Sequence, residues 1–134
     1  MFLLCLLPQL QNNQARAPPD SGNIFMSSIS VLVNGAKGRM GSEVVQAVEA
    51  AEGYELAGET DIGDDLAAAI RDSSPQVVVD FTVPGSAVEN TTIILDSGAC
   101  PVVGTTGFSS DDIKTLQEKA AGLRRGGLIA PNFA

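Results

Sequence analysis

The chain has 134 residues, 44% of them hydrophobic and 18% charged, a profile of an ordinary globular protein long enough to bury one core. Its formal charge of −8, with Arg124-Arg125 as the only adjacent basic pair, argues against a nucleic-acid partner, which requires a basic stripe. Histidine is absent and the two cysteines, Cys5 and Cys100, are far apart, so these residues hold no Ser-His-Asp or Cys-His centre and none of the common zinc sites.

Met1 to Leu7 is apolar, and Pro8 to Phe25 is rich in Gln, Asn, Pro and Ser. Ala15-Arg16-Ala17 has the small-x-small form of a signal cleavage site. Against that reading, no positive charge precedes the apolar run, the run is short, and Pro18 would follow the cut. The run is also far below the ~20 apolar residues of a bilayer span. Residues 1–28 are therefore expected to be a disordered or artefactual extension, with the natural start near Met26. The protein is expected to be cytoplasmic, with no membrane partner.

From Ile29 onward strands and helices alternate. Ile29 to Val33 is a β-branched run that ends in glycines and predicts a buried parallel strand. Ser42 to Glu52 places Val44, Val45, Val48 and Ala51 on one helical face, closed by Gly53. Tyr54 to Glu59 predicts a second strand and Asp64 to Asp72 a second helix; Pro75 then opens a third strand, Gln76 to Phe81. A third helix is expected over Gly85 to Asp96, ended by Gly98, and a fourth strand over Pro101 to Val103. Ser109 predicts an N-cap with Asp112 completing a capping box. Ile113, Leu116, Ala120 and Leu123 follow at helical spacing, with Gly126-Gly127 expected to end that helix before a fifth strand, Leu128 to Ala130.

This alternation predicts an α/β fold, a Rossmann-like doubly wound parallel sheet covered on both faces. Ligands of such sheets bind beyond the carboxyl ends of the strands, near the switch point. The loops to inspect are then Asn34–Gly41, Thr60–Gly63, Thr82–Gly85, Gly104–Gly107 and Pro131–Ala134. The first holds Gly35, Gly38 and Gly41 between a strand and an amphipathic helix, the context in which backbone N–H groups cradle a pyrophosphate. A plain turn is the alternative. Lys37 and Arg39 are either solvated charges or phosphate contacts. Glu59 and Asp61 are both candidates for the acid that bonds an adenosine ribose, Asp61 lying about 20 residues beyond Gly41. A carboxylate there favours NADH, whereas Lys37 and Arg39 favour a 2′-phosphate, so NADH and NADPH both stay open. Thr105 and Thr106 could bond a nicotinamide or a substrate carboxylate, and Asp80-Phe81-Thr82 sets a carboxylate, a ring and a hydroxyl nearby. Ordinary turn and strand-end chemistry are the competing readings for both.

Together, Gly35 to Gly41, Asp80-Phe81-Thr82, Val103 to Phe108 and Ala130-Pro131-Asn132-Phe133-Ala134 resemble 4-hydroxy-tetrahydrodipicolinate (dihydrodipicolinate) reductases of bacterial lysine and diaminopimelate biosynthesis, in order and spacing. The short Glu59–Asp64 connection looks like the compact actinobacterial form. The resemblance implies that Gly35, Ala36, Lys37, Gly38, Arg39 and Met40 hold the pyrophosphate of NADH or NADPH and Asp61 the ribose. It implies that Phe81, Thr82, Gly104, Thr105 and Thr106 line the nicotinamide pocket, with Thr106 also reaching a substrate carboxylate. Ala130, Pro131, Asn132 and Phe133 would close over the nicotinamide. Some relatives carry an arginine for the 2′-phosphate where Ile62 stands here. The family's His-His pair, catalytic lysine and Ser-Gly-Thr loop follow the Asn-Phe segment. The resemblance therefore implies that residues 29–134 are the dinucleotide-binding domain alone, without catalytic residues, taking its cyclic dicarboxylate substrate only with that second domain; the full-length family member would be a homotetramer. Another nicotinamide oxidoreductase domain and a stand-alone nucleotide- or CoA-binding module are the alternatives.

Overall fold

A computed structural model describes residues 27–130. Ten elements follow in order: β1 (Ile29–Asn34), α1 (Arg39–Ala50), β2 (Tyr54–Thr60), α2 (Leu66–Ser73), β3 (Val77–Asp80), a single 3-10 turn (Pro84–Ser86), α3 (Ala87–Ser97), β4 (Cys100–Val103), α4 (Ser110–Leu123) and β5 (Leu128–Ile129). The readings of residues 1–26 and of Pro131, Asn132 and Phe133 lie outside the described residues.

All four strand pairings are parallel and the sheet order is β2-β1-β3-β4-β5. The chain steps outward once from β1 to β2, crosses back over β1 to β3, and continues through β4 to β5. Right-handed crossovers then put α1 on one face of the sheet and α2, α3 and α4 on the other. The packing follows suit, with α2 on α3, α3 on α4, and α1 against β1 and β2. Both faces of the sheet carry helices, as expected, but the cover is complete on only one of them. On α1's face Val77 and Val102 are half-buried, because a single crossover helix cannot span five strands.

Alternating strand residues sort into the two layers. Val31, Val33 and Val79 meet Ala36 and Val48 beneath α1. Leu32 and Val78 face Leu66, Ile70 and Ile94, while Val103 and Ile129 face Leu95, Leu116 and Ala120. Local signals set the helix ends. Ser109 and Asp112 form the expected reciprocal capping box, and Asp65 caps α2 by accepting from Ala68 N–H. Helix bounds shift from the sequence reading by up to three residues, and two of the shifts have a clear local cause. Helix α1 starts at Arg39, three residues early, because extended Gly38 serves as its N-cap. Helix α4 closes at Arg124 in the left-handed conformation (φ 52°), ahead of Gly126-Gly127. Gly127 instead permits a close approach of chain segments, since a Cβ there would sit 2.9 Å from the Pro101 ring.

Leu116 is 2% exposed and Leu123 44% exposed on the same helix. Leu116→Ala is expected to lower the unfolding free energy by about 2–5 kcal/mol. Leu123→Ala should change it by less than about 0.5 kcal/mol, both read from urea denaturation midpoints.

Candidate functional site

The strand register brings the ends of the sheet level. Asn34 pairs with both Thr60 and Asp80, and Asp80 pairs with Val103, so the loops leaving β2, β1, β3 and β4 emerge side by side. The direction of the chain reverses between β1 and β3, which makes that crevice the switch point.

The glycine loop is fixed by backbone packing at two of its three glycines. A Cβ on Gly35 (φ +85°) would lie 2.4 Å from the Phe81 carbonyl oxygen, and one on Gly41 would lie 1.8 Å from the Gly35 carbonyl oxygen. Gly38 differs: its nearest neighbour, the Gly35 oxygen, is 3.3 Å away, and the residue is exposed. Its bare backbone therefore clears space outside the loop rather than inside the protein. Lys37, Gly38, Arg39 and Met40 are all exposed, whereas Gly35 and Ala36 are buried. The first turn of α1 has neither an acid nor a side-chain cap, so its leading N–H groups and the positive end of its dipole stay available to an anion.

Strand β2 anchors this loop. The Gly35 and Ala36 amides donate to the Thr60 carbonyl at 2.8 and 3.1 Å. One residue on, the Asp61 carboxylate accepts from Lys37 N–H at 2.7 Å and from Ile62 N–H at 2.8 Å. The Ile62 and Lys37 amides, aided by the Lys37 charge, hold the Asp61 carboxyl below the usual aspartate range. Asp61 is therefore ionised at neutral pH, with lone pairs remaining for further donors. Of the two acids singled out in the sequence, Asp61 touches the glycine loop, and Glu59 stands exposed on β2.

On the other side of the crevice, Asp80 ends β3 with no exposed surface. Its Oδ1 accepts from Thr82 N–H at 3.0 Å, and Asn90 Nδ2 donates to the Thr82 hydroxyl at 3.1 Å. Its main-chain oxygen accepts from Gly104 N–H at 3.0 Å and from the Thr105 hydroxyl at 3.3 Å. Thr105 is thus buried and turned inward, whereas Thr106 is exposed. The two threonines expected to line one pocket thus divide, Thr105 into the interior and Thr106 onto the surface. At Gly104 a Cβ would overlap the Phe81 ring and force it to shift. Ala130 joins the same end of the sheet by donating its N–H to Val103. A cavity of about 310 Å³ lies beside this crevice, lined by Phe108, Ile113, Gln117 and Ile129 among others.

Three polar residues escaped the sequence reading as site members. Thr60 donates its hydroxyl to Asn34 Oδ1 at 2.8 Å in a buried pair, and Asn90 supports Thr82 from α3. Strand-end polarity signals the pair Asn34 and Thr60; nothing in the local pattern marks Asn90. Among the described residues no group of His, Cys, Asp or Glu could hold a metal ion, and no helix is long and apolar enough to cross a membrane.

A parallel sheet with an open, glycine-lined helix N-terminus at its switch point defines the α/β nucleotide-binding class. Within that class the family model described as dihydrodipicolinate reductase, N-terminus, matches residues 29–133, and the chain belongs to that family. It is 40% identical over 107 residues to the 4-hydroxy-tetrahydrodipicolinate reductase of Coxiella burnetii, covering 80% of this chain and 45% of that protein. It is 46% identical over 110 residues to that of Beutenbergia cavernae, covering 80% and 43%. Its fold superposes on dipicolinate-bound dihydrodipicolinate reductase from Paenisporosarcina sp. TG-14 with a TM-score of 0.73 at 28% identity, covering 80% of this chain and 48% of that one. The chain spans about half the length of the curated relatives it matches.

The loop glycines are expected to separate by thermal melts. Gly41→Ala should cost about 1–3 kcal/mol or more through backbone overlap, and Gly38→Ala less than about 0.5 kcal/mol. Burial pushes the Asp80 carboxyl up, with Thr82 and Asn90 pulling partly against it. A raised acid stabilises the fold below its unfolded-state value of 3.8, and that contribution fades as pH climbs through the folded-state value. Asp80→Asn should therefore gain melting temperature over the parent as pH rises from below 4 to 7; a pH-independent difference would contradict an uncomfortable buried charge.

Proposed function

We propose that this chain is the cofactor-binding domain of a nicotinamide-dependent reductase that acts on a cyclic dicarboxylate in lysine and diaminopimelate biosynthesis. The observation that carries this reading is the exposed, side-chain-free N-terminus of α1 at Gly38, locked in place by Asp61 at the switch point. A pyrophosphate fits there, because the leading amides of α1 carry no side-chain cap and Lys37 and Arg39 are exposed on the same loop.

In this reading Gly35 and Ala36 set the loop, and Lys37, Gly38, Arg39 and Met40 face the pyrophosphate. Asp61 accepts the adenosine ribose hydroxyls. Phe81, Thr82, Gly104 and Thr106 border the nicotinamide, with Thr105 supporting from beneath. Thr106, exposed at the loop tip, also faces the substrate carboxylate. Ala130, just past β5, borders the ring from the far side of the Gly104 loop. The dinucleotide, when bound, supplies the hydride. The chain's own residues bind it, fix the ring's orientation and exclude water from one side. Proton donation and clamping of the substrate carboxylates belong to the portion of the relatives' length that this chain does not span.

NADH is the preferred cofactor, because an ionised Asp61 accepts from ribose hydroxyls and repels a 2′-phosphate. Lys37 and Arg39 narrow the margin without reversing it. Calorimetric titration of the chain is expected to show NADH binding, weaker NADPH binding and no response to CoA; CoA binding without NADH would sink the reductase reading. Asp61→Ala separates two roles. Loss of the loop clamp alone weakens both cofactors equally, whereas loss of the ribose contact costs NADH roughly tenfold more than NADPH. Gly38→Val should abolish binding of both by filling the space outside the loop.

A further inference from the structure

Several hydrogen-bonding groups converge on one buried residue at the end of the third strand. Asp80 has no exposed surface, sits at the last position of β3, and directs its side chain to the same face as Val78, toward the start of α3. From that position Oδ1 holds Thr82 N–H, and the main-chain oxygen holds both Gly104 N–H and the Thr105 hydroxyl. Asn90 completes the set by holding the Thr82 hydroxyl. Oδ2 has no partner, so half of an expensive buried carboxyl is unsatisfied. The bonds that Asp80 does make run to the loops on either side of it, to Thr82 on one and to Gly104 and Thr105 on the other.

We propose that Asp80 is a positioning residue for the nicotinamide end of the cofactor, setting the separation of the Thr82 loop from the Gly104–Thr105 loop from one buried point. The proposal rests on the reading of the crevice as a dinucleotide site. Asp80 touches neither ring nor substrate; it acts through Thr82 and through the Gly104 backbone. The ring of Phe81, next to Thr82 in the first loop, lies against the bare face of Gly104 in the second, so a change in their separation displaces it. The adenosine end depends on separate bonds, those of Thr60 and Asp61 to the glycine loop.

That division supplies the test. NADH and ADP-ribose share the adenosine and pyrophosphate groups, and only NADH carries the nicotinamide. Affinities of both are measured for the parent chain, Asp80→Ala, Asp80→Asn and Asn90→Ala, with a thermal melt of each. Asp80→Ala is expected to weaken NADH roughly tenfold while changing ADP-ribose less than about twofold. Asp80→Asn keeps an acceptor for Thr82 N–H and should restore most of the NADH affinity. Asn90→Ala, at a half-buried helix position, should give a smaller loss confined to NADH, and it serves as the second variant where Asp80→Ala does not fold. Equal weakening of both ligands by Asp80→Ala, no rescue by Asp80→Asn, or unchanged NADH affinity in Asn90→Ala would overturn the positioning role and leave the dinucleotide site standing. A parent chain that binds neither ligand would overturn the site itself, and the proposal with it.

Discussion

The carbonyl oxygen of Gly35 lies where a Cβ on Gly41 would have to be, and the carbonyl of Phe81 lies where one on Gly35 would have to be. Three stretches of backbone are therefore in direct contact: the loop after β1, the first turn of α1 and the end of β3. No side chain intervenes. This contact sets the angle at which α1 leaves the sheet, and thereby where its unpaired amides point. It also brings the glycine loop within reach of Thr60 and Asp61 on one flank and Phe81 on the other. The crevice exists because these glycines permit a backbone approach that no other residue allows.

Around that contact the end of the sheet is polar where its middle is apolar. Thr60, Asn34, Asp80 and Thr105 are all buried across the ends of four strands, above a layer of Leu32, Val78, Val103 and Ile129. Buried polar groups cost stability unless they are bonded. Here the bonds run between loops rather than along strands, so the cost is offset by ordering the rim of the crevice. Asp80 Oδ2, without a partner, is where that compensation is incomplete.

The fold was legible because the chain repeats one simple signal, a β-branched run and then an amphipathic helix, five strands long. Valine-rich runs such as Val77-Val78-Val79 and caps such as Ser109 with Asp112 leave little alternative. Sequence and structure part where two demands compete at a glycine. Gly126-Gly127 carries the usual mark of a helix end, yet Gly127 is needed against Pro101 and the non-glycine Arg124 ends the helix. The unequal helical cover, one helix on one face and three on the other, follows from the order of strands, which local periodicity does not encode. In the crevice, spacing marked the glycine loop and left Glu59 and Asp61 as alternatives, and the bond from Lys37 N–H is what separates the two. The inward turn of Thr105, the bond from Asn90 and the hub at Asp80 depend on contacts between residues 8 to 25 positions apart, and no local pattern announces them.

If one crevice, from the glycine loop to the Gly104–Thr106 loop, receives a nicotinamide dinucleotide along its length, backbone amide NMR shifts followed during titration with NADH will trace it. Shifts are expected at Lys37 to Met40, at Asp61 and Ile62, and at Thr82, Gly104 and Thr106, with α2 and the carboxyl-terminal half of α4 unmoved. Shifts confined to the cavity beside Phe108, Ile113 and Gln117, with the glycine loop silent, would show that the dinucleotide does not bind along this crevice.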